Sequence, residues 1–478
     1  MKASCLVWLA GLAVSCQTPP TTLAGPVPAL APAIDVDPDP DVVEVHLAVG
    51  WTEVEYLDGV ATRVLAYRDE ANPDDTGRVP GPMIVARRGD TVVLRLRNDM
   101  PVERTTLHMH GVRLPANMDG NPAVSGAIDP GHSFEYRFVA RDAGYFWYHP
   151  HINTDEHLEL GLQGPIVILE PDRPATTERW FMIDDIDLDD VGQVVLDMDE
   201  TEMRTGRQGD LLLVNGRPGG VLRAAAGATE RWHLVNSANA RHLDLIVPGA
   251  KLTVIGWDGG AIARPYEVER LAIAPGERFD VLVALPAAPG RVLDVRTGPV
   301  LSDPGTEVTT EVTTEEIDAR HLFSIVLDDR PDEYPAPVSD DFAGVEPALA
   351  IDGTTPTKRF TLRADFDRPG PPLMSINDQV WPFNEAVHVT LGDTEIWEVE
   401  NLGPGMHPFH LHGLFFQVLA GAAPFHLGGG WKDTVPIGPY STVRVAVQYD
   451  APGHWLYHCQ IPEHAHMGMM GDLLVDVP

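Results

Sequence analysis

Three pairs of histidines, His108/His110, His149/His151 and His410/His412, are spaced two residues apart in this chain, and His458 opens a fourth pair whose second position is Gln460. Side chains at i and i+2 of a strand leave the same face, so each pair presents two imidazoles side by side. One pair says little. Three pairs in matching sequence contexts point to a metal cluster, because neutral imidazole is the commonest metal ligand among side chains.

The stretch from His458 to Met469 adds a second chemistry. Cys459 is followed five residues later by His464 and ten residues later by Met469. That order suits blue copper, where two histidines and a cysteine form a trigonal set and a weak axial methionine raises the redox potential. His407 is the candidate second imidazole, from a neighbouring strand. Met469 is the axial candidate by its spacing; Met467 and Met470 are read as packing residues. Of the three cysteines, Cys5 and Cys16 lie in the leading segment, so Cys459 has no internal disulfide partner. A lone thiol in an exported protein is either buried and inert or held by a metal, and these neighbours favour the metal.

Taken together, the motifs resemble those of the multicopper oxidases, the family of laccases, bilirubin oxidases and bacterial cuprous oxidases. His-x-His-Gly, His-x-His, His-x-x-His-x-His and His-Cys followed by four residues and His464 occur in the family's order, over about residues 42 to 478. The resemblance implies cupredoxin-like domains and up to four copper ions. Under it, His407, Cys459, His464 and Met469 hold a type 1 copper, His108 and His410 hold a type 2 copper, and His110, His149, His151, His412 and His458 hold a type 3 pair. It also implies a laccase-like, copper-dependent oxidoreductase. Phenolic, aromatic amine or metal-ion donors would yield single electrons near the edge of His464, and dioxygen would be reduced to water. Asp119, in Met118-Asp119-Gly120, matches the family's acidic residue near type 2 copper and is a candidate proton relay.

Two positions depart from the family pattern: Gln460 stands where a type 3 histidine is usual, and Ala465 where many bacterial members have a glutamate. An amide oxygen is a harder, weaker copper ligand than imidazole, so one type 3 ion is expected to bind less firmly. The competing expectation is a copper-binding or electron-transfer protein with a working type 1 site and an impaired cluster. A copper-free structural protein of the same fold is opposed by the retained Cys459 and the matching histidines. His454, His466 and Glu463 could assist but are read as exposed or structural. His46, His132, His157, His233, His242, His321, His388 and His426 lack partners at ligand spacing.

The elements that must position these residues are strands. Short alternating runs such as Thr91-Val92-Val93-Leu94-Arg95-Leu96-Arg97, bounded by Gly, Pro, Asn and Asp, recur throughout, and no long amphipathic helical period is present. The class is all-β, with three Greek-key β-sandwich domains. Arg88-Gly89-Asp90-Thr91 leading into His108-Met109-His110-Gly111 is echoed by Leu391-Gly392-Asp393-Thr394 leading into His410-Leu411-His412-Gly413, so the first and last thirds are read as copies of one domain. The expected division is a leader over 1–16, a tether over 17–40, a first domain over 41–172, a metal-free second domain over 173–330 and a third domain with the type 1 site over 331–478. Leu213-Val214-Asn215-Gly216 and Ser375-Ile376-Asn377-Asp378 are read as domain-opening strands and turns, and Ser302 to Glu316 as an exposed loop.

The apolar run from Cys5 to Val14 is too short for a permanent membrane span and reads as a secretory signal. Ala13-Val14-Ser15-Cys16 resembles a lipoprotein processing box, so the expected location is the periplasm or, through a lipidated Cys16, the outer membrane of a Gram-negative bacterium. A monomer is expected. The formal net charge of −36 argues against a nucleic-acid partner, whose phosphates demand positive charge. The acidic run from Asp184 to Asp190 is read as a solvated turn.

Overall fold

The computed structural model describes residues 25–170, 177–298, 319–329, 348–366, 372–422 and 429–478. The leader with Cys16, the loop read over Ser302 to Glu316, and His426 lie outside the described residues. Among the described residues strand accounts for 51% and helix for 5%, so the class is all-β as expected. No helix among the described residues is long and apolar enough to cross a membrane.

Each of three consecutive segments folds into two facing sheets. In the first, Val60–Asp69, Val42–Leu57, Thr91–Asn98 and Ser133–Val139 form one sheet, and Ile84–Arg87, Gly164–Leu169, Gly144–His149 and His108–His110 form the other. The third segment repeats this plan, its second sheet running Val387–Thr390, Met470–Asp476, Gly453–Cys459, His407–Leu411 and Thr434–Ile437. In both, the first two strands of that sheet are parallel and the next pairs antiparallel. The sequence duplication is therefore a duplication of topology.

The middle segment shares the plan, as expected of a third β-sandwich of the same class. Val221–Ala225, Arg320–Asp328, Val292–Gly298, Leu243–Ile246 and Leu271–Ile273 take the same order, again with one parallel pair followed by antiparallel ones. At the place where the outer segments carry His-x-His, it carries His242-Leu243-Asp244, and Asp244 faces Gly298 across the ladder. The paired imidazoles of the outer segments have no counterpart at that place.

Burial follows the pleat. Thr442–Gln448 alternates exposed and buried residues before its inner run Val445, Ala446, Val447, as expected for a strand with one wet face. One continuous apolar core contains Trp232, Trp397 and Trp455, all essentially buried and drawn from the second and third segments.

Two expectations are corrected. Residues 26 to 36 do not form a free tether: Pro26 bridges Val221, Pro32 bridges Met83, and the Ile34 amide donates to Asp69 Oδ2 at 2.8 Å. Backbone groups of an extended segment need partners, and an edge of each of two domains supplies them. The acidic run is also not uniformly solvated. Asp184 and Asp185 end the strand Glu178–Ile186, and Asp185 is buried because Arg241 pairs with it. Burial still pushes its carboxyl up to about 6.

Candidate metal centres

Cross-strand register assembles the first centre. His108 lies directly opposite His149, and His410 directly opposite His458. The two outer domains then face each other, so that the His108 and His412 rings stack with centroids 3.9 Å apart and the His110 and His410 rings stack at 3.8 Å. Seven imidazoles, those of His108, His110, His149, His410, His412, His458 and the half-buried His151, converge at the junction of those domains.

Hydrogen bonds fix which nitrogen faces inward. The Nδ1 groups of His108, His149, His410 and His458 lie 2.8, 2.9, 3.0 and 2.8 Å from the carbonyl oxygens of Asp119, Pro150, Asp433 and Cys459. A carbonyl only accepts, so each Nδ1 carries the proton and each Nε2 keeps a lone pair. His110 is turned round: its Nε2 sits 3.2 Å from Asp433 Oδ1, leaving Nδ1 free. His412 Nδ1 donates to Asp119 Oδ2 at 2.7 Å. Nε2 of His458 then lies 2.9 Å from that of His412 and 3.4 Å from that of His151. Lone pairs held this close repel unless a cation stands between them.

Orphaned atoms test the fit directly. Nε2 of His108, His149 and His410, Nδ1 of His110 and Oε1 of Gln460 are all buried without a hydrogen-bond partner. Each such atom costs about 1–3 kcal/mol when left unsatisfied. Five at one locus are accounted for by metal ions accepting their lone pairs. Burial drives the imidazoles of His110, His149, His151, His412 and His458 well below the ordinary histidine range. They are therefore neutral ligands without prior loss of a proton.

Gln460 comes directly after Cys459, the last residue of the strand Gly453–Cys459, and turns toward the cluster. A Cβ on Gly276, from the middle domain, would collide with Gln460 Cγ and crowd His110 Cε1 at 3.0 Å. The glutamine side chain thus lies against His110. It also lines a cavity of about 600 Å³ together with His149, His151 and His458, with Arg104 and His466 also on its wall.

The second centre is a buried triangle on the opposite face of the strand. Cys459 Sγ lies 3.5 Å from His407 Nδ1 and 3.6 Å from His464 Nδ1, and the two nitrogens are 3.1 Å apart. Strand alternation sends Cys459 to this side while its neighbours His458 and Gln460 face the cluster. The short helix Pro462–His466 brings His464 back over the sulfur. Met469 is fully buried and tied to the same loop, its carbonyl accepting from the Cys459 amide at 3.0 Å. Burial pushes the Cys459 thiol up. Burial pushes His464 down to about 4. A trigonal pair of imidazoles and a thiol suits copper, whose binding would deprotonate the sulfur.

The edge of His464 is not at the surface. His464 is 1% exposed, and its Nε2 donates to the Arg204 carbonyl at 3.1 Å. Arg204 belongs to the helix Glu202–Thr205 of the middle domain, and its guanidinium sits over the Phe366 ring at 4.4 Å. No periodicity in the sequence reported this cap.

Asp119 stands between the outer domains. Beyond its bond to His412, its Oδ1 is 3.3 Å from His108 Nδ1. Burial opposes its ionisation, but the His412 and His108 imidazoles outweigh it and hold the carboxyl well below its ordinary range. Asp119→Ala should therefore weaken metal at the cluster by about 10- to 100-fold, the usual effect of losing a ligand's outer partner. Chelator competition on the loaded protein measures this, and an unchanged affinity would exclude the supporting role.

Glu463 is buried, not exposed. Its Oε1 accepts from Asn239 Nδ2 at 2.8 Å, and burial pushes it up to about 7. His454 pairs with Asp472 and His466 with Asp155. Among the other histidines, His46, His321 and His388 pair with carboxylates, and His233 stacks on Trp180 at 3.6 Å while bonding Asp280. Sequence reasoning missed Asp433, Thr434 and Arg278. Asp433 and Thr434 sit where Lys432-Asp433-Thr434 enters the strand Thr434–Ile437 beside His410, and Arg278 opens a strand of the middle domain; spacing rules read neither.

Paired cupredoxin-like domains with a histidine cluster between them and a thiol triangle beside it define a copper redox protein. Multicopper oxidase family models match residues 49–173, 187–296 and 352–478. The chain is 28% identical over 415 residues to a multicopper oxidase of Staphylococcus epidermidis, covering 84% of this chain and 83% of that one. It is also 28% identical over 451 residues to a laccase of Trametes villosa, covering 82% and 83%. A solved multicopper oxidase from Campylobacter jejuni, described as a metallo-oxidase, superposes with a TM-score of 0.79 at 26% identity over 99% of both chains. The chain belongs to the multicopper oxidases, copper oxidoreductases that use oxygen.

Proposed function

We propose that this protein removes single electrons from a small donor at the thiol centre and delivers them to the histidine cluster, where dioxygen is reduced to water. The observation that carries the reading is the shared strand: Cys459 belongs to one centre and its neighbour His458 to the other. His407, Cys459, His464 and Met469 would hold type 1 copper, and His108 with His410 type 2 copper. His151, His412 and His458, already grouped around one point, would hold one type 3 ion. His110, His149 and Gln460 would hold the other. Bound copper supplies the one-electron couple and the affinity for dioxygen. The chain supplies the path, from the Cys459 sulfur through its backbone to His458, whose Nδ1 also bonds the Cys459 carbonyl. Asp119 orients His412 and stands as a carboxylate beside His108, where it would accept and relay protons. The cavity walled by His149, His151 and His458 offers dioxygen a route inward.

The cap over His464 favours a small metal-ion donor over bulky phenols or aromatic amines. It keeps a broad ring from touching the imidazole, and its residues Asp197, Asp199 and Glu200 are exposed carboxylates that attract cations. The likeness to the Campylobacter jejuni metallo-oxidase supports the same choice. Replacing residues 198–205 by a short Gly-Ser linker should raise kcat/KM for a phenol by about tenfold, about 1.4 kcal/mol in the barrier, and lower it for cuprous or ferrous ion. Dioxygen uptake with each donor is the measurement. A wild-type protein that prefers phenols, with no response to the replacement, would defeat the donor assignment.

Export and anchoring through Cys16 form part of the same reading, supported by the leader sequence alone. Metabolic labelling with a radioactive fatty acid, compared with Cys16→Ala, tests it.

A further inference from the structure

Beneath the cluster lies a buried ionic network that neither the sequence motifs nor the mechanism above employs. Asp258, Glu277 and Arg278 come from the middle domain, and Lys432 and Asp433 from the third; all are 0 to 1% exposed. Lys432 Nζ is 3.0 Å from Asp258 Oδ2 and 2.9 Å from Glu277 Oε1. Arg278 uses its whole guanidinium. Nε donates to the Tyr145 carbonyl at 3.2 Å, Nη1 to the Gly276 carbonyl at 3.1 Å and to Asp433 Oδ1 at 2.7 Å, and Nη2 to the Asp258 carbonyl at 3.2 Å and to Asp433 Oδ2. One side chain thereby ties all three domains together.

The fork ends on the residue that holds two cluster histidines. Asp433 Oδ1 accepts from His110 Nε2 at 3.2 Å, and its backbone carbonyl accepts from His410 Nδ1 at 3.0 Å. Thr434 Oγ1 stands 3.1 Å from each of the same two nitrogens and donates to Asp433 Oδ1 at 2.8 Å. Gly111, directly after His110, has a φ of +84°, and any Cβ there would collide with Arg278 Nη2 and Asp433 Oδ2. The glycine of the His-x-His-Gly motif is thus the space the ion pair occupies.

Buried ion pairs add little net stability, because desolvation offsets their attraction, and apolar replacements are often as stable or more so. What this pair does provide is geometry, since a bidentate guanidinium and carboxylate leave one orientation for each partner. We propose that Arg278 and Asp433 are positioning residues of the cluster, by which the middle domain sets His110 with Nδ1 inward and His410 with Nε2 inward. The inference rests on reading those histidines as copper ligands.

The test uses the full copper-loaded chain and compares Asp433→Ala, Arg278→Lys and Glu277→Gln with wild type. The readouts are chelator competition for cluster copper, the type 2 electron paramagnetic resonance signal and the type 1 visible band. Asp433→Ala should weaken cluster copper by about 10- to 100-fold and alter the type 2 hyperfine pattern, with the visible band unchanged. Glu277→Gln lies in the same network but touches no histidine, and should leave the type 2 signal as in wild type. If Asp433→Ala does not fold, Arg278→Lys, which keeps the charge and loses the fork, should show the same selective change. A folded Asp433→Ala or Arg278→Lys protein with wild-type cluster affinity and spectrum overturns the inference, as does equal disturbance by Glu277→Gln. A wild-type protein with no type 2 signal after loading would instead sink the copper-cluster reading, and this inference with it.

Discussion

Cys459→Ser should give a folded, colourless protein whose donor oxidation falls by about 10³-fold or more, on the order of 4 kcal/mol in the barrier. The side chain is fully buried between His407 and His464, and serine matches it closely in size. Burying the hydroxyl costs about 1–3 kcal/mol, which a chain of this size tolerates. The chemistry is not preserved. A hydroxyl in this pocket stays protonated, and oxygen is too hard a donor to stabilise cuprous copper or to give the strong visible absorption of a thiolate bond. None of the cluster histidines contacts the substituted atom, so metal analysis should find the cluster ions retained while the type 1 ion is lost. A variant that remains blue, or turns over at the parental rate, would show that the triangle is not the electron-accepting centre.

Gln460→His should raise the copper content from about three ions per chain to four and speed dioxygen uptake by about 10- to 100-fold. In the parent, His110 Nδ1, His149 Nε2 and Gln460 Oε1 are the buried unpartnered atoms on this side of the cluster. Two imidazoles and an amide oxygen make a weaker copper site than three imidazoles. The other proposed type 3 position has three imidazoles, His151, His412 and His458, grouped around one point. Space is available, because Gly276 leaves room against the 460 side chain and the adjoining cavity of about 600 Å³ accommodates a ring. Copper analysis and a dioxygen electrode on both proteins decide the matter. A full complement in the parent, with no gain in the variant, would mean that the amide serves as well as an imidazole here.

Most of the proposed ligand set was legible in the sequence because period-two spacing on strands survives folding. His108 and His110 share a face wherever their strand is placed, and Cys459 must oppose His458 and Gln460. The trigonal arrangement of His407, Cys459 and His464 could be anticipated from their types and separations for the same local reason. The duplication of the outer domains was visible through matching Gly-Asp-Thr turns and His-x-His motifs. The middle domain was expected to be a third sandwich from its strand patterns and the family resemblance alone, since the paired histidines that mark the other two are replaced there by His242 and Asp244.

What folding decided lies at contacts between segments far apart in the chain. Arg204 meets His464 across 260 positions and Arg278 meets Asp433 across 155, and no local spacing encodes either. The inward nitrogen of each imidazole was likewise settled by partners such as the Asp119 carboxylate, 293 positions from His412. Residue type and strand alternation thus determined by themselves which side chains could bind metal and on which face. Which tautomer each presents, what covers the electron-accepting edge and what clamps the cluster depend on hydrogen bonds and ion pairs that exist only once three domains exclude water from their common junction.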